Sequence, residues 1–297
     1  MLIEELVEIG RSVVPSSAEP VTLSDRHGVL AVRVGEVVVK AHRPGTEEAD
    51  LRVRLGVADA LHEILLPPLG GLRRAGERPV TVWPAGAVVS ADDIDDAPWE
   101  QGATLLARLH TVPAAALPEA CLEALPAAGG PARVVRAVAR LPESGRDPVA
   151  VIHRAYATLP EWVREAPPGG QGLAHGDWHL GQLVRTPGAS WRLIDVDDLG
   201  VGDPVWDLAR PAALYAAGLL PPPVWTRFLL AYQLSGGCAL PADGDPWRHL
   251  TVPAQALAVQ LAATSVIRAM EEDRPLDDGE AALVDTCRRI AAVRNQT

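Results

Sequence analysis

The pattern of apolar residues changes character once, near Trp83-Pro84-Ala85-Gly86, and that change limits the possible folds more than any other feature. Before it, short β-type runs alternate with turn residues: Val21-Thr22-Leu23, Val29 to Val34, Val37-Val38-Val39-Lys40 and Val80-Thr81-Val82-Trp83. The first three predict an antiparallel meander that ends at Lys40. Two helices accompany them. Leu2, Ile3, Leu6, Ile9 and Val13 share one helical face, and Thr46 is positioned to cap a second helix reaching about His62. After Gly86, helical periods dominate, at residues 101–109, 133–141, 149–159, 209–217, 224–234, 252–271 and 279–292. One polar, turn-rich stretch, residues 172–207, interrupts them with short strands at 182–185 and 191–196. The expectation is an α+β, two-lobed chain. Residues 1–82 form a small antiparallel-sheet N-lobe, 83–86 a hinge, and 87–297 a larger, mostly helical C-lobe. Ligands are expected in the cleft between such lobes.

Charge narrows the partners. The net charge of −11 argues against nucleic acid, which wants a basic stripe, and favours a cationic small molecule. No run approaches the ~20 apolar residues of a membrane span, and acids at Glu4 and Glu5 stand where a secretory signal carries bases. A cytoplasmic protein with no membrane partner is therefore expected; the oligomeric state is not readable. Cys121, Cys238 and Cys287 are widely spaced and odd in number, which suits buried thiols rather than a disulfide or zinc framework.

Lysine usage is sharper still. Of 27 basic Lys and Arg residues, the only lysine is Lys40. An ammonium is a compact point charge and a guanidinium a wide planar fork, so a site that accepts only the former is a natural place for a lone lysine.

The densest reactive run is His175-Gly176-Asp177-Trp178-His179-Leu180-Gly181-Gln182. Ile194-Asp195-Val196-Asp197-Asp198 follows an apolar strand, and Gly202-Asp203-Pro204-Val205-Trp206-Asp207-Leu208-Ala209 comes next. Clustered carboxylates repel unless cations or donors offset them, and oxygen-rich ligands suit Mg²⁺ when phosphates complete its shell. Asp197 and Asp198 also read as a solvated pair. His175-x-Asp177-x-His179 has the density of a zinc hydrolase site but lacks the further short-spaced histidines such sites use. A P-loop is excluded because Lys40 follows valines, not glycines.

These segments, in this order and spacing, resemble the aminoglycoside phosphotransferase family of the protein-kinase-like fold, over roughly residues 20 to 235. The resemblance implies ATP and Mg²⁺ as cofactors and a hydroxyl of a small molecule as acceptor. It implies Asp177 as catalytic base, with Asp195 and Gln182 on the metal. It places Lys40 on the nucleotide phosphates, held by Glu48 or its neighbour Glu47, and adenine at the backbone of Trp83 to Ala85. His175, Asp198, Asp203 and Asp207 would give structural support, Asp207 by bracing the catalytic loop. The family has Asn where this chain has Gln182; the His-Leu-Gly-Gln form is similar to actinobacterial maltokinases and glucosamine kinases. An aminoglycoside or amino sugar is the implied acceptor, with Asp243, Asp245, Glu271, Glu272 and Asp273 as candidate contacts. A glucosamine- or maltose-type sugar kinase and a nucleotide-binding pseudokinase are the alternatives, and a role in antibiotic resistance stays open.

Overall fold

The computed structural model describes residues 1–26, 28–89, 97–166, 169–170 and 172–293. Helices are α1 (Leu2–Val13), α2 (Glu48–Ala60), α3 (Trp99–His110), α4 (Glu119–Ala124), α5 (Gly130–Ala139) and α6 (Val149–Thr158). They continue with α7 (Glu161–Glu165), α8 (Val205–Ala216), α9 (Pro222–Leu234), α10 (Trp247–Glu271) and α11 (Asp278–Val293). Strands are β1 (Val21–Arg26), β2 (Val29–Val34), β3 (Val37–Ala41), β4 (Arg73–Ala75) and β5 (Arg78–Pro84). The shorter ones are β6 (Ala87–Val88), β7 (Gly172–Ala174), β8 (Leu183–Arg185), β9 (Trp191–Leu193) and β10 (Gly200–Gly202). The architecture is two-lobed, an N-terminal antiparallel sheet and a larger helical region. By packing, residues 1–90, 112–126 and 181–197 form one compact unit and 91–111, 127–180 and 198–297 the other. The polar stretch is thereby split, its middle part, residues 181–197, belonging with the sheet.

The first unit is built on a five-stranded antiparallel sheet of order β1-β2-β3-β5-β4. Alternation in β3 buries Val37, Val39 and Ala41 and turns Val38 and Lys40 to the other face. The buried valines of β2, β3 and β5 make one core with Leu6 and Val7 of α1. A Cβ on Gly10 would lie 3.0 Å from Val34 and Val39, so a glycine lets α1 approach this closely. The meander expected to end at Lys40 is thus extended by β5 and then β4. Strand β4 was not foreseen: Arg73-Arg74 carries charge on an edge and shows no apolar alternation. Thr46 does not cap α2 as expected. Its hydroxyl bonds the Arg43 carbonyl, and Glu47 occupies the cap position without a side-chain bond. Beside this sheet, β6, β8 and β9 pair antiparallel, and the Leu193 N–H bonds the Ile64 carbonyl at 2.9 Å. That bond fixes the end of β9, two residues before Asp195.

The second unit holds α3 and α5 to α11 with the β7–β10 pair. Trp178 is buried, stacked on Phe228 at 5.3 Å and edge-on to Trp99 at 6.3 Å. This aromatic packing anchors the segment after β7. Among the described residues α10 is the one helix long and apolar enough to cross a bilayer; its window has a mean hydropathy of 1.5 and is 61% buried. The sequence reading, which counted uninterrupted apolar runs, did not single it out. Its packing is that of a core helix. Cys121 and Cys287 are buried thiols, but Cys238 is exposed, contrary to expectation, with its thiol on the His110 carbonyl.

Candidate functional site

Two groups of polar side chains stand out, one in each unit. In the first, the Lys40 ammonium leaves β3 on the face away from the core and donates to Asp195 at 2.6 Å. It also pairs with Asp197 at 2.8 Å, and its side chain is 13% exposed. Burial alone would lower the lysine pKa, but the charges of Asp197 and Asp195 outweigh it and hold the amine well above its ordinary value. Burial would likewise raise Asp197, yet Lys40 and His42 keep its carboxyl far below the usual range. His42 is buried between Thr81, at 2.9 Å, and Asp197, at 3.4 Å.

Asp195 adopts φ +63, a left-handed conformation uncommon outside glycine. Asp195 stands two residues past the short β9, whose end is tied to Ile64, and meets Lys40 there. The Gln182 amide, from a one-turn 3₁₀ segment before β8, donates to the other Asp195 oxygen at 3.1 Å. Among the described residues no group of three or more His, Cys, Asp or Glu forms a closed metal cage. A magnesium ion does not need one: it keeps waters and takes one or two protein oxygens beside substrate phosphates. One carboxylate and one amide oxygen, both hard donors held adjacent, fit that chemistry.

The structure does not bring Glu48 to Lys40. Glu48 sits in the first turn of α2 and pairs with Arg52 and Arg74, so its charge is spent on guanidiniums. The carboxylates on Lys40 are the two from the segment after β9. Trp83 lies in β5 opposite Val38, with its indole N–H on Thr81 at 2.8 Å. The Ala85 N–H bonds the Glu36 carbonyl at 2.8 Å.

In the second unit Asp177 follows β7 by three residues. One oxygen pairs with Arg133 of α5 at 2.6 Å, the other with Arg210 of α8 at 2.7 Å. Burial pushes the Asp177 carboxyl above its usual pKa despite both guanidiniums. Burial also pulls Arg210 down. Arg133 extends to Asp198, which Arg136 approaches at 3.5 Å.

Asp207, in the first turn of α8, shapes this turn. Its carboxylate accepts the His175 N–H at 2.6 Å, the Gly176 N–H at 2.8 Å and His110 Nε2 at 2.9 Å. Tyr232 O–H lies 2.8 Å from His110 Nδ1, so with the proton on Nε2 the hydroxyl donates to the ring and the ring to Asp207. Burial would raise Asp207, but His110 and His175 overcome it and hold the carboxylate ionised. Gly176 has φ +84, and a Cβ there would collide with the Asp198 carbonyl and lie 2.6 Å from the Gly129 nitrogen. Asp203, just before α8, accepts the Val205 N–H at 3.0 Å. His175 is fully buried.

Sequence reasoning missed Asp197 as a lysine partner, and it missed Arg133, Arg210, His42 and His110. The arginines and histidines are recruited from distant elements with no local motif; for Asp197 the signal was the density of acids after β9. None of the acids expected to meet a cationic acceptor is among the residues lining the depression at Asp177. Asp243 and Asp245 are exposed, Asp245, just before α10, accepting the Trp247 N–H, while Glu272 pairs with Arg274 at 2.6 Å.

The family model for the phosphotransferase enzyme family (APH) matches residues 24–250, and the chain belongs to that family. No curated protein matches the sequence significantly. Among solved structures the chain is similar to choline kinase LicA from Streptococcus pneumoniae, at 15% identity and TM-score 0.65, covering 98% of this chain and 99% of that one. A choline/ethanolamine kinase family protein from Mesorhizobium loti matches at 16% identity and TM-score 0.61, over 99% and 95%. Spectinomycin phosphotransferase APH(9)-Ia, in complex with ADP and spectinomycin, matches at 15% and 0.61, over 99% and 98%. At these identities the likeness is one of fold. The aminoglycoside-phosphotransferase and protein-kinase-like resemblance read from the motifs is therefore a shared architecture, and the family's general activity is ATP-dependent phosphoryl transfer to small molecules.

Proposed function

We propose that the protein is an ATP-dependent O-phosphotransferase acting on a hydroxyl of a small molecule. The observation that best supports this is Lys40 and Gln182 converging on the two oxygens of Asp195. A lone ammonium beside a carboxylate–amide pair is the equipment for a metal-bound nucleotide. In this reading Lys40 exchanges Asp195 for a phosphate oxygen when nucleotide binds, and Asp197 keeps the amine charged. Asp195 and Gln182 would then hold Mg²⁺, which would supply positive charge against the phosphates.

Asp177 orients the acceptor hydroxyl and takes its proton as the new oxygen–phosphorus bond forms. The bond from the γ-phosphorus to its bridging oxygen breaks, and that electron pair leaves on the diphosphate. The raised Asp177 pKa suits a proton acceptor, since positioned proton transfer contributes roughly 10²–10⁴-fold. Asp207 supports the step through the backbone at His175 and Gly176. An aminoglycoside or amino sugar is the finer expectation from the motifs, with a sugar kinase as its neighbour.

The test is acceptor-dependent release of ADP across aminoglycosides, amino sugars, maltose and choline, with ATP and with GTP. Asp177→Asn should bind nucleotide normally and lose turnover. Turnover that survives this substitution removes Asp177 from the chemistry.

A further inference from the structure

A small depression in the helical unit is lined by Arg133, Asp177, Trp178, Arg210 and Gln260 together with Leu257. Its water-accessible space is about 10 Å³, room for one water at most. Three buried polar atoms on its lining residues have no hydrogen-bond partner: Arg133 Nε, Trp178 Nε1 and Gln260 Oε1. Trp178 is 2% exposed and Gln260 5%, so bulk solvent does not reach them, while the Arg133 side chain is 24% exposed. Leaving such atoms unpaired in a native protein calls for a reason, and a ligand supplies one.

We infer that this depression is an oxyanion subsite, and that the acceptor of the proposed phosphotransferase carries a carboxylate or phosphate group beside its hydroxyl. The donors point to that class. Arg133 Nε–H, the Arg210 guanidinium and Trp178 Nε1–H are all donors, and a planar guanidinium fork matches the paired oxygens of a carboxylate or phosphate. The one acceptor among the three unpaired atoms, Gln260 Oε1, suits a hydroxyl. An ammonium would instead meet two guanidiniums already seated on Asp177, and like charges at that range repel.

The same geometry makes the base conditional. Both Asp177 oxygens are occupied, one by each arginine. An oxyanion that takes over one guanidinium releases an Asp177 oxygen for the acceptor hydroxyl, and the shift opens the space that the ion pairs now fill. This departs from the cationic acceptor expected from net charge. The −11 is a property of the whole surface, whereas the groups paired directly with Asp177 are two arginines, with Asp198 beyond Arg133.

The inference rests on Asp177 being the base of the proposed function, and two independent titrations separate them. The full chain is titrated calorimetrically, at fixed ionic strength, with sulfate, acetate, D-glucuronate and glucosamine, and in parallel with ATP–Mg²⁺. Oxyanions are expected to bind at least tenfold more tightly than glucosamine. Sulfate against acetate distinguishes a phosphate-like from a carboxylate ligand. Arg210→Gln and Arg133→Gln should each erase that preference, and Arg210→Lys should restore part of it. In turnover, Arg210→Gln should raise KM for an anionic acceptor at least tenfold. Equal or tighter binding of glucosamine by the unaltered chain, or no oxyanion binding while ATP–Mg²⁺ binds normally, overturns the subsite. Oxyanion binding without any nucleotide binding leaves the subsite and removes the kinase.

Discussion

The Asp207 carboxylate accepts the backbone N–H of Gly176 at 2.8 Å, across 31 residues of sequence. With the His175 N–H on its other oxygen, it sets the turn that carries Asp177 without touching Asp177 itself. Replacing it by Asn leaves an amide hydrogen facing backbone donors and removes the charge that His110 answers. Asp207→Asn is expected to cost about 3 kcal/mol, as breaking a buried pair does. A urea-denaturation midpoint measures this, and kcat should fall more than KM rises.

Gly176 itself admits no side chain. Its positive φ and the Asp198 carbonyl both oppose a Cβ. Gly176→Ala should lose on the order of 3 kcal/mol from overpacking and left-handed strain together. A thermal melt that does not shift would show that the turn is not held as described.

Gln182 reaches the Asp195 oxygen at 3.1 Å with one methylene more than an asparagine has. Gln182→Asn draws the amide back by about 1.5 Å, one carbon–carbon bond. The Mg²⁺ concentration for half-maximal turnover is expected to rise roughly tenfold or more, as loss of a metal-supporting contact does. Chelation by EDTA should abolish turnover in both forms, and excess Mg²⁺ should restore it.

Far from these groups, Glu280 at the start of α11 binds Arg274 and Arg268, and the Arg274 hydrogen bonds are the main reason its pKa falls to about 2 from 4.5. A carboxyl depressed on folding stabilises above its unfolded pKa. That contribution is complete above pH 4.5 and drains away as pH drops towards 2. Glu280→Gln should therefore lower the melting temperature near neutrality and flatten its dependence on acid. Parallel melting curves for both forms across that window would contradict the pairing.

The lobes were legible because period-2 valine runs give way to helical periods at one place. Within them, Val37 to Lys40 read as a strand because it is a β-branched run set off by the Gly35-Glu36 turn, and the structure pairs it as β3. Asp177, Gln182 and Asp195 were visible as a motif because they sit on consecutive short turns. The arginines were not, because Arg133 and Arg210 come from two helices whose surface patterns look like any amphipathic face. Glu48 was chosen for Lys40 on helix position alone, while Arg74, on an unforeseen edge strand, pairs with it instead. Asp197 looked solvated because nothing local shows that a strand ends opposite it.

Lys40 is the chain's sole lysine, so an amine-directed label has only two addresses, its Nζ and the terminal nitrogen. The first is masked by two carboxylates and the second stands open. One mass measurement on an intact, acylated sample thus reads occupancy of that strand position directly, with no mutagenesis, and any ligand that loosens or shields the amine reports itself by the size of a single peak.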